Sequence, residues 1–248
     1  MPCMDFTRGG YRYLPAVFQY SAGVAALDGF HIERVMFHTP VALIEGFRRI
    51  EAFLTAAGRP VTALCACELR SPMPMSEAAF RRFNELYVDR LARWGIVVEG
   101  ANPVARSNVC PEHAPPAEPS FHAFSFTVED RAARPSFVIA GSGEVPEGKA
   151  SYRDHIIRPG DTSPAGLREK ARYVLDQMEA RLAGLGCQWR DTTATQVYTL
   201  HDLHPFLADE IVARGAAANG VCWHYCRPPV VGLDYEMDCR GVDHERLV

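Results

Sequence analysis

The 248-residue sequence has no apolar run approaching the roughly 18–20 residues that a bilayer-spanning helix needs. It has no excess of basic charge either, with 26 Lys plus Arg against 30 Asp plus Glu and a formal net charge of −4. Phosphate binding starts from a basic field, so a generic nucleic-acid binder is disfavoured. The N-terminal MPCMDFTRGGYRYLP lacks a continuous apolar core and does not read as a secretory signal. A soluble cytoplasmic protein is therefore expected. The stretch from Gly141 to Pro146 carries two glycines but not the Gly-x-x-x-x-Gly-Lys-Ser/Thr signature of a phosphate loop.

Eight cysteines are present: Cys3, Cys65, Cys67, Cys110, Cys187, Cys222, Cys226 and Cys239. A chain of this length builds its own core, so a disulfide framework is not required. In Leu64-Cys65-Ala66-Cys67 the thiols sit in an apolar run and act as small hydrophobes. Cys222, His224 and Cys226 alternate, which in one strand would put all three on one face. No second half-site of metal-ligand spacing accompanies them, although His201 and His204 are available. Structural thiols and no metal are the expectation.

The composition, 48% hydrophobic and 23% charged, is that of a globular protein with one large domain or two modest ones. Hydrophobic period gives one series of elements twice. Residues 41–57 place Ile44, Phe47, Ile50 and Leu54 at helical spacing, and residues 164–185 do the same with Leu167, Ala171, Val174, Met178 and Leu182. Strand-like runs follow at 61–70 and 192–200. Second helices follow at 76–94 and 203–217, then Pro-interrupted segments with a closing strand at 103–128 and 221–242. Strand candidates precede each first helix, at 16–37 and 136–158. Gly58 and Gly186 mark the offset between the two series, which is far longer than a solenoid repeat of about 20–50 residues. The pattern predicts an α+β protein with domains 1–130 and 131–248 divided near Glu129–Pro135, each sheet covered by helices on one face.

Several short pieces then resemble the Rid (YjgF-type) superfamily, whose archetype is an enamine/imine deaminase. Gln19-Tyr20-Ser21-Ala22-Gly23-Val24 is similar to its early Pro-Tyr-Ser segment, and Phe137–Gly143 to its Gly-containing strand. Phe83-Asn84-Glu85-Leu86-Tyr87 resembles its Asn/Tyr helix, Pro103–Ser107 its Pro-Ala-Arg-Ser strand, and Tyr235–Asp238 its closing acidic strand. The resemblance implies two tandem Rid-like, chorismate-mutase-like domains. It places the family's tyrosine on Tyr20, its asparagine on Asn84, its carboxylate-binding arginine on Arg106 and its water-positioning glutamate on Glu236. His122 stands roughly where the first half would carry that glutamate, and Trp223–Tyr225 where the second would carry the arginine. Either a composite site forms between the halves, or one site has been rebuilt.

The residue types suit such chemistry. A guanidinium offers a planar fork for a carboxylate. A strand glutamate among apolar neighbours loses solvation, which raises its pKa towards acid/base use. Asp234 and Asp238 at i±2 fit a solvated outer face equally well. Tyr20 and Asn84 would line the pocket. Cys110, with Glu112 in the loop after the arginine strand, lies near any pocket that Arg106 lines; its thiol would be a substrate contact, a nucleophile beside Arg106 or His113, or an inert buried group. The function implied is hydrolysis of an imine or enamine carboxylate, a 2-imino acid or an aminomuconate-like acid, releasing ammonia without metal or organic cofactor. The alternative is a small-molecule-binding or assembly protein that has lost the chemistry; RNA cleavage is disfavoured by the charge. Rid resemblance also implies three units around a threefold axis. With two units per chain, closure calls for a homotrimer with clefts between neighbours.

Overall fold

The computed structural model describes residues 2–132 and 134–248. In chain order, three short strands, β1 (Met4–Phe6), β2 (Tyr11–Leu14) and β3 (Gly23–Ala26), precede the long β4 (Phe30–Ala42). Then come α1 (Leu43–Ala56), β5 (Leu64–Arg70), α2 (Glu77–Arg93), β6 (Ala105–Pro111) and β7 (Ser120–Glu129). The C-terminal half supplies β8 (Phe137–Gly143), α3 (Pro164–Leu185), β9 (Ala194–Tyr198), the single turn α4 (His204–Phe206) and β10 (Cys222–His224). It ends with β11 (Cys226–Arg227), β12 (Glu236–Gly241) and β13 (His244–Leu247). No helix among the described residues is long and apolar enough to cross a membrane.

Two mixed sheets result. The six-stranded sheet runs β11-β6-β5-β7-β4-β13 and the seven-stranded sheet β1-β2-β3-β8-β12-β9-β10. At the heart of each is the same order: β6-β5-β7-β4 in one and β10-β9-β12-β8 in the other, with the β5/β6 and β9/β10 pairs parallel and the remaining neighbours antiparallel. The outer strands cross over. The N-terminal β3 pairs with β8, whereas the C-terminal β11 and β13 pair with β6 and β4. The 16–37 strand candidate thus divides between the two sheets, because the turn Asp28–Gly29 (Gly29 φ +83°) ends β3 before β4 begins.

The helices form where period and caps agree. Ser76 caps α2 by accepting the Ala79 N–H, and α2 buries Phe80, Phe83, Asn84, Tyr87 and Leu91. Ser163 caps α3 and Pro164 opens it, while Gly186 (φ +77°) closes it in the left-handed conformation that a Cβ disfavours. In α1, Phe47, Ile50 and Leu54 are buried, but Ile44 is 69% exposed, one turn too early to reach the sheet. Phe47 packs on Phe121 at 5.0 Å and on Trp94 at 5.2 Å, so the α1 face is anchored by aromatic rings.

The helix expected at 203–217 departs most from expectation. A single α turn gives way to a π-helix over Leu207–Val212, with the Ala213 N–H bonded to Ala208 O. Phe206, Ile211 and Ala216 recur every five residues and all are buried. The wider turn keeps that spacing on one face.

Between the sheets, buried charged and polar side chains lie alongside apolar ones such as Val138 and Ala140. Arg34 holds Glu68 in a bidentate pair at 2.5 and 2.8 Å. Asp238 accepts from Gln196 Nε2 at 2.6 Å and Tyr198 Oη at 3.0 Å. Arg240 crosses to Glu245 on the other sheet at 2.7 Å.

Candidate active site

The sheets approach each other where β6 meets β8. The Ser21 N–H donates to Val104 O at 2.9 Å and the Ala140 N–H to Ala22 O at 3.0 Å, stitching these strands together. A Cβ on Gly141 would overlap Glu236 Oε1 and lie 3.3 Å from Ser107 Cα, so only glycine admits this crossing. A cavity of about 50 Å³ opens here, walled by Tyr20, Arg106, Asn108, Gly141, Glu147 and Glu236 among others. It adjoins a larger space of about 360 Å³, with Phe80 and Tyr152 in the walls of both.

Arg106 points from β6 towards α2 and is 3% exposed. Its guanidinium lies over the rings of Tyr87, Tyr20, Phe83 and Phe80 at 4.8, 5.3, 5.7 and 5.8 Å. Its Nη1 is buried without a hydrogen-bond partner among the described residues. Ring faces offset part of the lost hydration of the cation. They cannot accept its in-plane hydrogen bonds, and burial pulls its pKa down. The result is a buried cation whose flat faces are covered by rings while an in-plane donor is left without a partner among the described residues.

Glu236 is 5% exposed and opens β12. Burial, reinforced by Asp238 and Glu144, pushes its pKa well above the ordinary carboxylate value, against the opposing pull of Arg106 and Arg70. The carboxyl group therefore keeps its proton to higher pH than a solvated glutamate. The solvated-face reading of Asp234, Glu236 and Asp238 fails: Glu236 and Asp238 are buried, and Asp234 pairs with the fully buried Lys170 at 2.9 Å. Lys170 also bonds Glu144 Oε1 at 3.2 Å, while Glu144 accepts from the backbone N–H of Asp234 and Tyr235. This cluster fixes the turn leading into Glu236.

Arg106, Glu236 and Tyr20 come together in one cavity of one chain. Tyr20 donates to Glu147 Oε1 at 2.9 Å, and Arg181 holds the same oxygen at 2.8 Å. Asn84 is not in this cavity; it is buried in the wall of the adjoining space, and its Oδ1 has no hydrogen-bond partner among the described residues. Cys110 is buried outside the walls of both. Burial, with a contribution from Glu236, pushes its thiol up to about 12, so no thiolate nucleophile forms there at neutral pH. His122 does not stand in for a second glutamate. Burial, with Arg70 adding, lowers its pKa to about 4, and it lies near Arg70 and His224, away from Arg106. Cys222, His224 and Cys226 do not share a face: the chain leaves the seven-stranded sheet after His224, and Cys226 pairs with Pro111 in the other.

Asn108, Glu147, Tyr152 and Arg181 were not singled out from the sequence. Asn108 was within reach of strand alternation, since it follows Arg106 by two on β6. Glu147 and Tyr152 lie in an irregular segment with no period to read.

Residues 3–246 match the family model described as 2-aminomuconate deaminase CnbZ. A 2-amino-5-chloromuconate deaminase of Comamonas testosteroni is 52% identical over 245 residues, 98% of each chain. Among solved structures, a chorismatase aligns with TM-score 0.52 over 96% of this chain and 78% of that one, at 12% identity, a likeness of fold alone. The E. coli YjgF gene product aligns over 44% of this chain and 81% of that one at 18% identity, with a TM-score of 0.32. With nearly the whole sequence matched by the model and by a relative of equal length, the chain belongs to the 2-aminomuconate deaminase CnbZ family.

Proposed function

We propose that the protein is a hydrolytic deaminase of a 2-aminomuconate-type substrate, an unsaturated diacid with an enamine nitrogen beside one carboxylate. The observation that carries this reading is that the buried Arg106 guanidinium, with Nη1 unpartnered among the described residues, shares a cavity with the buried Glu236 carboxyl group, whose pKa burial raises. Arg106 takes the carboxylate next to the amino-bearing carbon, and the fixed strand holds that carbon in place. Glu236 gives its proton to the enamine carbon, so the C=C electron pair forms the new C–H bond and the nitrogen lone pair forms C=N. The Glu236 carboxylate then takes a proton from water as the water oxygen bonds to the iminium carbon. Glu236 returns that proton to nitrogen, the C–N bond breaks, ammonia leaves, and the hydroxyl proton restores neutral Glu236. The sum is enamine plus water giving oxo acid plus ammonia, and no electron acceptor enters.

Incubation with 2-aminomuconate tests the reading. One ammonia should appear for each oxo acid formed; saturable binding without turnover overturns the enzyme and favours a binding protein.

The common strand order at the heart of the two sheets further supports a tandem duplication of a Rid-like unit. Failure of a sequence profile of either half to match the other would count against it. Assembly of three chains is part of the same proposal. Trp223, Tyr225 and Val231, all exposed large apolar side chains, offer surface for it. Light scattering at micromolar concentration that reads a single 27.5 kDa chain would remove it.

A further inference from the structure

The cavity contains a second orphaned donor. Asn108 is 3% exposed, and its Nδ2, like Arg106 Nη1, is buried without a hydrogen-bond partner among the described residues. It lies two residues beyond Arg106 on β6, on the same face of the strand, and both line the same cavity. Its orientation is set from behind: Ser71, itself fully buried, donates from Oγ to Asn108 Oδ1 at 3.0 Å, while the Ser71 N–H bonds Val109 O at 2.9 Å. Oδ1 accepting from Ser71 fixes the amide orientation and leaves Nδ2 as its atom without a partner among the described residues. A buried polar group left without a partner is destabilising, so two such donors on one strand face indicate what the empty cavity lacks.

We infer that Asn108 receives the second carboxylate of a six-carbon diacid whose first carboxylate is held by Arg106. This rests on the reading above and adds to it the reason for a diacid. Two residues along a strand advance about 6.6 Å, so the long Arg106 and the short Asn108 offer their donors to the cavity from two separate points rather than to one carboxylate. Charge favours an amide at the far end. Glu147 is already paired with Arg181, and burial favours the neutral form of Glu236, whereas Arg106 has no carboxylate partner among the described residues. A second cation would have to remain buried and unpaired in the empty protein, whereas an amide supplies a directed donor without that cost.

Two probes that carry no amino group separate binding from turnover: hexa-2,4-dienedioate and the mono-acid hexa-2,4-dienoate. Calorimetric titration of the full chain should show that the wild type prefers the diacid. Asn108→Leu is expected to weaken the diacid by about 10–100-fold, the range for a hydrogen bond to a charged group, and to leave the mono-acid within about twofold. Asn108→Ser keeps a donor on a shorter arm and should show the same selective loss to a smaller degree. It also guards against the leucine variant failing to fold. No diacid preference in the wild type, or an equal loss for both probes in the Asn108 variants, overturns the assignment. Arg106→Leu reads the parent proposal separately, since it should weaken both probes; if it weakens neither, the carboxylate site itself is wrong.

Discussion

Glu236→Gln is expected to leave substrate binding within a few-fold and to lower kcat by roughly 10²–10⁴, the contribution of a positioned acid/base group. Glutamine has the same shape, so it fits the space that Gly141 leaves and keeps the β6/β8 crossing intact. What it cannot do is give a proton to carbon and take one from water. The pH profile follows from the same group. Glu236 has a folded-state pKa raised above the ordinary value of 4.5, chiefly by burial. The active protonated form is therefore lost as pH rises through that raised pKa, and kcat/KM should fall on the alkaline side with one ionisation. Stability moves in the same direction. Between pH 4.5 and the raised pKa the unfolded chain has released the proton while the folded chain keeps it, so stability declines as pH rises. Glu236→Gln should flatten that decline in denaturant melts taken across pH. A variant that deaminates at the wild-type rate would remove Glu236 from the mechanism.

Arg106→Leu is expected to separate function from stability. Removing one partner of a buried charge pair costs about 2–5 kcal/mol of binding, which should appear as a large rise in KM for the substrate. The empty protein has no such pair to lose. Its guanidinium is buried with Nη1 unpartnered among the described residues, and ring faces offset part of the desolvation. Leucine is shorter and gives up the ring contacts, but it removes the desolvated charge, so the melting temperature of the unliganded protein should stay close to that of the wild type. Loss of affinity together with loss of thermal stability would mean that Arg106 is a structural cation, and that the carboxylate site lies elsewhere.

The sequence made legible those elements whose own period defines a face. Helix α3 is found at residues 164–185 as expected, because Leu167, Ala171, Val174, Met178 and Leu182 repeat at helical spacing between Ser163 and Gly186. Short motifs draw attention to Arg106 and Glu236, and both line one cavity; their roles rest on the proposal above. Period identifies a face but not its partner, and the misses follow from that. Nothing in Gly23–Ala26 says that it pairs with β8 rather than continuing into the sheet of β4. The five-residue recurrence of Phe206, Ile211 and Ala216 lies off the helical template, so an ordinary helix was expected there. Three acids in alternation suggested solvent because a partner such as Lys170 or Gln196 is distant in sequence. Cys110 stood close to the arginine in sequence, yet it lies outside the cavity walls.

The exchange of edge strands between the sheets bears on how the chain reaches its fold during synthesis. Gly23 finds its partner in Ile139, and Glu33 finds one in His244. The first strands made must wait for β8 to emerge, and the first sheet gains its last edge only when β13 appears. Loop closure over such separations slows folding, and unpaired edges left open meanwhile invite pairing with other chains. Arg34 and Glu68 beside the open edge of β4 make a wrong apolar neighbour unfavourable until Glu245 arrives with β13. An early-folding half able to act alone is not available to this topology: Arg106 and Glu236 share a cavity only once both ends of the polypeptide have been woven into the opposite sheets.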